Sequence, residues 1–89
     1  MTAPSREQLK AYKVYAVGFG DDPVAIVAAE TRAQAKGRSF SDAHEAGYYL
    51  QWWDLRALRA PKFDRLAKLY GPFGWTPNHA QAMLENLKP

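Results

Sequence analysis

Two apolar runs joined by a turn constrain the fold of this chain more than any other feature. The runs cover residues 12–19 and 24–29 and together are rich in Val, Ile, Tyr and Phe, which suit a buried pleated surface. Between them, Gly20-Asp21-Asp22-Pro23 has the composition of a tight turn. Because neither run alternates apolar with polar residues, the sequence predicts an antiparallel hairpin that is covered on both faces.

A helix is predicted directly after the hairpin, over residues 32–46. Thr31 is a suitable N-cap, Gln34 can complete a capping box, and Gly47 suits the left-handed position that ends a helix. The predicted inward stripe consists of Ala33, Gly37, Phe40 and either Ala43 or His44. We expect Gly37 to let the helix backbone approach the sheet closely, and we expect the helix to cover one face of the hairpin.

The aromatic run Tyr48-Tyr49-Leu50-Gln51-Trp52-Trp53 predicts a third strand, which can continue through residues 55–58. In the alternative interpretation, Asp54 caps a short helix that ends before Pro61. A right-handed crossover from the second strand would place the third strand beside the first, which gives the strand order 2-1-3.

Two short amphipathic helices are predicted at the end of the chain. The first begins at Pro61 and ends at Gly71, and the second begins at residues 76–77. We expect both helices to cover the second face of the hairpin. The predicted fold class is therefore α+β, a single ββαβαα domain over residues 11–89 with a three-stranded antiparallel-type sheet, preceded by a flexible lead-in over residues 1–10.

The composition narrows the function classes. The chain has no cysteine, so a disulfide framework, a thiol nucleophile and a thiolate metal site are excluded. No apolar run approaches the roughly 20 residues that a membrane helix requires, and residues 1–10 lack the apolar centre of a signal peptide. We therefore expect a cytoplasmic protein without a membrane partner.

The ionisable residues show no catalytic or metal-binding pattern. His44 and His79 are the only histidines, and neither has further ligands at the spacing that a metal site requires. Asp21 and Asp22 are interpreted as turn formers, and Gly18-Phe19-Gly20 lacks the third glycine and the following helix of a dinucleotide fingerprint. The sequence therefore predicts a protein that is not an enzyme and that has no cofactor and no metal.

Basic and aromatic residues make up the candidate binding surface. The net charge is +3, and five of the 12 basic residues lie between residues 56 and 68. Most of the aromatic run is expected in the core, and Tyr49 and Trp53 are the first candidates for exposed interface anchors. The predicted partner-binding residues are Tyr49, Trp53, Arg56, Arg59, Lys62, Arg65 and Lys68.

Other interpretations of these residues remain open. They suit a small basic nucleic-acid-binding module, in which cations hold phosphates and aromatic rings stack on bases. They also suit a solvated cationic face that only shields the apolar stripes of the helices. A further interpretation is a homodimer, rather than a monomer, with Trp53 at the centre of its interface.

The segments VAAETRAQAK and DAHEAGYYLQWWDLRALRAPKFD resemble small uncharacterised proteins that phages and prophages encode. Those proteins have a strand-strand-helix-strand core followed by an Arg-Ala-Pro segment and an aromatic-Asp pair, and the resemblance covers residues 12–64. It implies no catalytic residues. Small phage proteins of this kind often block a host machine, as anti-CRISPR proteins do. The resemblance therefore implies a non-enzymatic phage-type accessory protein that binds and inhibits a host protein complex, for example a Cas effector.

Overall fold

The fold consists of one antiparallel sheet with helices on both faces, and the computed structural model describes residues 8–87. The strands are β1 (Lys10–Ala16), β2 (Ala25–Ala29), β3 (Leu55–Arg59) and β4 (Gly74–Trp75). The helices are α1 (Arg32–Glu45), α2 (Asp64–Tyr70) and α3 (Pro77–Glu85), and short 3-10 turns at Trp52–Asp54 and Pro61–Phe63 precede β3 and α2. The predicted α+β class is confirmed.

The sheet has four strands in the order β3-β1-β2-β4, and both features differ from the prediction. β1 lies between β2 and β3, but β4 adds a fourth strand along β2, with Trp75 opposite Ile26. The predicted order 2-1-3 made β2 an edge strand, whereas β2 lies inside the sheet. β4 is only two residues long, which is too short to produce a hydropathy period in the sequence.

The third strand follows the aromatic run and does not include it. Residues 48–51 have no regular secondary structure and Trp52–Asp54 forms a 3-10 turn, so the prediction of a strand over residues 48–53 is wrong. The alternative helix is also wrong, because Asp54 ends the turn and β3 follows immediately. The aromatic run connects the end of α1 to the start of β3. Strand propensity alone does not show whether a partner strand lies beside a segment.

The sheet buries apolar side chains on both faces, as the hairpin pattern predicted. Under α1, Tyr12 and Val14 pack in one cluster with Ala35 of the helix. On the opposite face, Ile26 packs in a second cluster with Leu66 of α2, and side chains of α3 complete that cluster. The two clusters explain why neither strand of the hairpin alternates apolar with polar residues.

Local signals predict the starts of α1 and α3 correctly, whereas the helix predicted from Pro61 begins as a 3-10 turn and α2 itself starts at Asp64. The Thr31 hydroxyl accepts the N–H of Gln34 at 3.1 Å, and the Gln34 side chain accepts the N–H of Glu30 at 3.0 Å. Thr76 caps α3 in the same way, since its hydroxyl accepts the N–H of His79 at 3.2 Å. Each contact joins residues three or four positions apart, so a sequence pattern is sufficient to predict it.

The inward face of α1 differs from the predicted stripe. Its buried residues are Ala35 and Ser39, whereas Ala33 is exposed. Gly37 faces the ring of Trp52 and not the sheet, because a Cβ atom at Gly37 would lie 3.7 Å from Cη2 of that ring. The prediction followed apolar residues only, and a buried serine interrupts the apolar period of the true inward face.

Residues 1–7 of the predicted lead-in lie outside the described residues, as do residues 88–89. Leu9 is buried in the core and Lys10 begins β1, so the packed part of the chain starts before residue 11. Among the described residues, no helix has both the length and the apolar character that a membrane crossing requires.

Candidate functional site

The connection between α1 and β3 exposes four aromatic side chains, Tyr48, Tyr49, Trp52 and Trp53, which we call the aromatic surface. Tyr49 is 90% exposed and Trp53 is 75% exposed, the largest fractions among the large apolar side chains of residues 8–87. The expectation that most of the aromatic run fills the core is therefore wrong, because the run lies in a connection and not in the sheet. Contiguous exposed aromatic side chains typically mark an interaction site.

Helix α1 holds Trp52 in place. The Trp52 ring packs edge-on against Phe40, with 5.7 Å between the ring centres, and it lies above Gly37. Nζ of Lys36 lies 4.6 Å from the centre of the Trp52 ring, within the range of a cation–π interaction. Trp52 therefore packs on the part of the helix surface that the missing side chain of Gly37 leaves open.

Polar contacts fix the rest of the connection. Nε2 of His44 forms a hydrogen bond with the carbonyl oxygen of Leu50 at 3.0 Å, and the Asp54 carboxylate accepts the N–H of Gln51 at 2.9 Å. The His44 ring also packs edge-on against Tyr49, with 6.4 Å between the ring centres. Because the backbone is held at several points, the exposed aromatic side chains are presented by an ordered segment. Such ordering lowers the entropy cost of binding a partner.

One cation lies on the aromatic surface and a second follows it in the chain. Lys36 lies over Trp52, and Arg56 is exposed on β3, three residues after Trp53. Arg56 lies on the face of the sheet opposite α1, because its neighbours Leu55 and Ala57 pack under α1. It lines a shallow depression together with Asp21 and Asp54 and forms no ion pair within residues 8–87, so the donors of its guanidinium are available to a partner.

Arg59, one of the predicted partner-binding residues, is tied into the fold. Its guanidinium donates two hydrogen bonds to the Asp64 carboxylate, at 2.9 and 2.7 Å, and one to the carbonyl oxygen of Ala11 at 2.8 Å. The hydrogen bond with Asp64 raises the pKa of Arg59, and it lowers the pKa of the Asp64 carboxyl group. This ion pair therefore joins β1, the end of β3 and the start of α2.

The three remaining basic residues lie beyond the end of β3. Nζ of Lys62 donates to the side-chain carbonyl of Gln81 at 3.1 Å and lies 4.9 Å from the centre of the Phe63 ring. Arg65 and Lys68 are exposed on α2. Residues three positions apart on a helix lie on the same side, so Arg65 and Lys68 form a small cationic patch.

The seven predicted residues therefore divide into two groups. Tyr49 and Trp53 lie in the connection before β3 and Arg56 lies near its start, whereas the cations of the other group lie at or beyond its end. Arg56 and Arg59 are three residues, about 10 Å, apart along β3 and lie on opposite faces of the sheet. The structure does not join the aromatic anchors to the whole basic stretch in one surface, and the binding role of each residue stays a prediction.

An open cavity of about 530 Å³ lies beside the aromatic surface, between α1 and the end of the sheet that carries the hairpin turn. Small-molecule sites typically have volumes of about 300–1,000 Å³. Phe19 and Tyr48, with 5.5 Å between their ring centres, line one part of the cavity, and Trp75 of β4 lines another. The sequence does not predict this cavity, because its walls come from several separate segments of the chain.

Two polar side chains of α1 line the same cavity. Ser39 is only 8% exposed, and its hydroxyl has no hydrogen-bond partner within the described part of the chain. The Asp42 carboxylate, one helical turn further on, lies close to β4, because a Cβ atom at Gly74 would be 3.4 Å from Oδ2. A serine on the buried side of a helix, followed three residues later by an aspartate, is the sequence signal that points to this pair.

The histidines make packing contacts. His44 packs against Phe40 at 4.4 Å and His79 against Trp75 at 4.9 Å between ring centres. Within residues 8–87, no group of three His, Cys, Asp or Glu side chains is placed to hold a metal ion. The predictions that the protein has no metal, no cofactor and no catalytic activity stay predictions.

Comparison with known proteins assigns the chain to no family. The chain matches no family model, no curated protein and no solved structure. The relationship to small phage and prophage proteins therefore stays a prediction from the two sequence segments that suggest it.

Proposed function

We propose that this protein acts by binding another protein, and that the aromatic surface is the centre of the interface. The observation that carries the proposal is the exposure of Tyr49 and Trp53 on a segment that α1 holds in place. Tyrosine and tryptophan are enriched among the few residues that supply most of the binding energy of protein interfaces. Their large rings also contribute contact area with few rotatable bonds.

The charges around the aromatic surface suit a partner whose apolar pocket is bordered by carboxylates. Lys36 lies over Trp52, Arg56 is exposed three residues after Trp53, and the whole chain carries a net charge of +3. A guanidinium group can hold a carboxylate through two parallel hydrogen bonds. Positive charge at the rim also accelerates association with an acidic surface.

A narrower proposal follows from the resemblance to phage proteins. In it, the partner is a host protein complex, such as a Cas effector, and binding inhibits that complex. The test is DNA cleavage by purified Cas effectors with increasing amounts of the protein. Stoichiometric inhibition of one effector would support the narrower proposal, and undiminished cleavage by the effectors tested would remove them as partners.

The binding proposal is tested by capture from bacterial lysate with three forms of the tagged protein. The wild type is compared with the double variant Tyr49→Ser/Trp53→Ser and with the control Arg65→Ser/Lys68→Ser, which changes two exposed residues of α2. We expect the wild type and the control to retain one protein in stoichiometric amount and the aromatic variant to lose it. Because the four substituted side chains are exposed, all three forms should have the same melting temperature within a few degrees.

The other interpretations predict different results in the capture experiment or in light scattering. A nucleic-acid-binding module would retain material that nuclease digestion releases, and the α2 control would lose it. A homodimer centred on Trp53 would appear in light scattering as a dimer that the aromatic variant splits. A protein partner that the aromatic variant retains in full would overturn the proposed interface.

A further inference from the structure

We propose that the cavity beside α1 binds a small organic cation, in which an ammonium group is carried by an apolar body. The site is separate from the proposed protein interface, although Tyr48 borders both. The cavity is bounded by apolar and aromatic side chains except at the two polar residues of α1, Ser39 and Asp42, and at Thr76. An apolar pocket with a few converging polar groups is the usual form of a small-molecule site.

The hydroxyl of Ser39 lies unpaired beneath the wall of the cavity. A serine inside a helix usually bonds back to the carbonyl four residues earlier or faces water. Ser39 does neither, since it is 8% exposed and its Oγ has no partner among residues 8–87. A buried polar atom without a partner destabilises the fold. Because Oγ itself is buried, a ligand that donates a hydrogen bond reaches this hydroxyl only if side chains of the wall move as the ligand binds.

The charge of the lining determines the class of ligand. Within the described chain, Asp42 is the only Asp, Glu, Lys, Arg or His side chain that lines the cavity. Its carboxylate can accept hydrogen bonds from an ammonium group, which carries donors and no acceptor. An anionic ligand would instead meet an unscreened carboxylate at the mouth of an apolar pocket.

The aromatic rings favour the same class. The rings of Phe19 and Tyr48 line the cavity and pack edge-on against each other, with 5.5 Å between their centres, and the faces of such rings attract cations. The Trp75 indole is not one of these rings, because it packs with Phe73 and with His79 of α3 on the face of the sheet opposite α1. A carboxylate at one side and aromatic rings at the others are the groups that recognise an organic ammonium ion.

Three probes of similar size and different charge test the proposal. They are 2-phenylethylammonium, 2-phenylethanol and phenylacetate, titrated into the ¹⁵N-labelled protein and followed by backbone amide shifts. We expect the ammonium to shift amides of the cavity, such as those of Ala16, Ala43 and Gly74, and to bind about tenfold more tightly than the alcohol. The carboxylate should bind more weakly than the alcohol.

Variants identify the groups responsible. Asp42→Asn should remove the preference for the ammonium while leaving the affinity for the alcohol unchanged, whereas Glu45→Gln, which removes a charge from the same helix away from the cavity, should change neither. Ser39→Ala should weaken binding of the ammonium. Because Asp42 is exposed and its side chain caps neither end of α1, Asp42→Asn should fold as the wild type does.

Several results would overturn the proposal. They are equal affinities for the ammonium and the alcohol, an ammonium preference that Asp42→Asn leaves intact, and no binding of the ammonium at about 10 mM. Shifts confined to the aromatic surface, and lost in Tyr49→Ser/Trp53→Ser, would also overturn it. That double variant should otherwise bind the ammonium as the wild type does, so this experiment and the capture experiment fail independently.

Discussion

Ser39 places a hydroxyl group on the side of α1 that otherwise buries apolar atoms. Its Oγ has no hydrogen-bond partner among the described residues, while Ala35, one turn earlier, is buried without any polar side-chain atom. The hydroxyl gives up its hydrogen bonds to water on folding and forms none within the described part of the protein, which lowers the stability of the folded state. Removing that atom should therefore stabilise the folded protein, which is the opposite of the usual effect of a substitution in the core.

Ser39→Ala should raise the free energy of unfolding by about 1 kcal/mol or more. Part of any gain comes from the higher helix propensity of alanine, so the control is Ser41→Ala, an exposed position of the same helix. The measurement is urea unfolding of both variants at neutral pH. If Ser39→Ala is no more stable than Ser41→Ala, the hydroxyl is satisfied in solution, for example by a bound water molecule.

The Asp64 side chain differs from that of Ser39, because both of its carboxylate oxygens accept hydrogen bonds. It accepts the N–H of Ala11 at 2.8 Å and the two hydrogen bonds from Arg59. Hydrogen bonding to Arg59 and to Ala11 favours the ionised form and holds the pKa of Asp64 below its ordinary value. Its contribution to stability is therefore complete above that ordinary value and is lost as the pH falls through the lowered pKa.

Asp64→Asn should lower the free energy of unfolding at pH 7 by about 1–2 kcal/mol. The effect is limited because the side chains of Arg59 and Asp64 are 34% and 29% exposed, so that solvent screens the pair. The difference between the variant and the wild type should shrink as the pH falls from about 4 to about 2. Urea unfolding at several pH values measures this difference in the free energy of unfolding, and Glu45→Gln is the control. A difference that does not depend on pH would show that ionisation of Asp64 is not the source of its stabilisation.

At the scale of the elements, the connection between α1 and β3 depends on how closely Trp52 approaches the helix. Gly37 leaves space for the ring, and a Cβ atom there would meet Cη2 at 3.7 Å and Cζ3 at 3.8 Å, which are ordinary contact distances. Gly47, after the end of α1, differs because its φ is +93°. The two glycines therefore respond to the same substitution in opposite directions.

Gly37→Ala should raise the free energy of unfolding by about 0.5–1 kcal/mol, because alanine favours the helix and its methyl group fits against Trp52. Gly47→Ala should lower it by about 1–2 kcal/mol, since the left-handed conformation is strained for any residue with a Cβ atom. Thermal and urea unfolding compare the two variants. Destabilisation by Gly37→Ala would mean that the Trp52 ring packs more tightly on the helix than the structure shows.

The elements also show what a sequence pattern can predict. Thr31 and Thr76 were identified as caps because each contact lies within one helical turn. The paired faces of the hairpin were identified because burial on both sides removes alternation from the sequence. By contrast, residue type predicts a strand over the aromatic run, but whether Tyr48–Trp53 pairs with a neighbour depends on residues far away in the chain. The partner strand of β1 is Leu55–Arg59, whose Leu, Arg and Ala residues have a lower strand propensity than the aromatic run.

The site was predictable to the same extent. Trp53 and Tyr49 were singled out as candidate anchors by residue type, and both are exposed. The fold decides which cations are available to a partner: Arg56 is exposed and forms no ion pair among the described residues, while Arg59 is paired with Asp64, an acid five residues away across Pro61. The cavity was not predictable, because its walls combine α1, the hairpin turn, the residues around Tyr48 and β4, which are far apart in the sequence.

At the scale of the whole molecule, the cations considered for binding lie at both ends of β3. Lys36 lies over Trp52 and Arg56 lies near the start of the strand, while Lys62, Arg65 and Lys68 follow it. A nucleic-acid strand would have to span both groups to use all of them. A protein partner needs only one end, so the distribution of charge agrees with the proposed interface.

Binding to single-stranded DNA should therefore be weak and only moderately sensitive to salt. Each phosphate neutralised on a single strand contributes about −0.7 to the slope of log K against log salt concentration. The three cations beyond the end of β3 predict a slope near −2, whereas a strand that also engaged Lys36, Arg56 and Arg59 would give a slope of about −4.

The measurement is fluorescence anisotropy of a labelled oligothymidine at several salt concentrations, with the wild type and Arg65→Ser/Lys68→Ser. In the variant the slope should have a magnitude below about 1, because only Lys62 of the three cations remains. A slope near −4, together with weaker binding by Tyr49→Ser/Trp53→Ser, would show that one strand contacts both ends of β3. The aromatic rings would then be stacking on bases, and the nucleic-acid-binding module would replace the protein interface as the function of this chain.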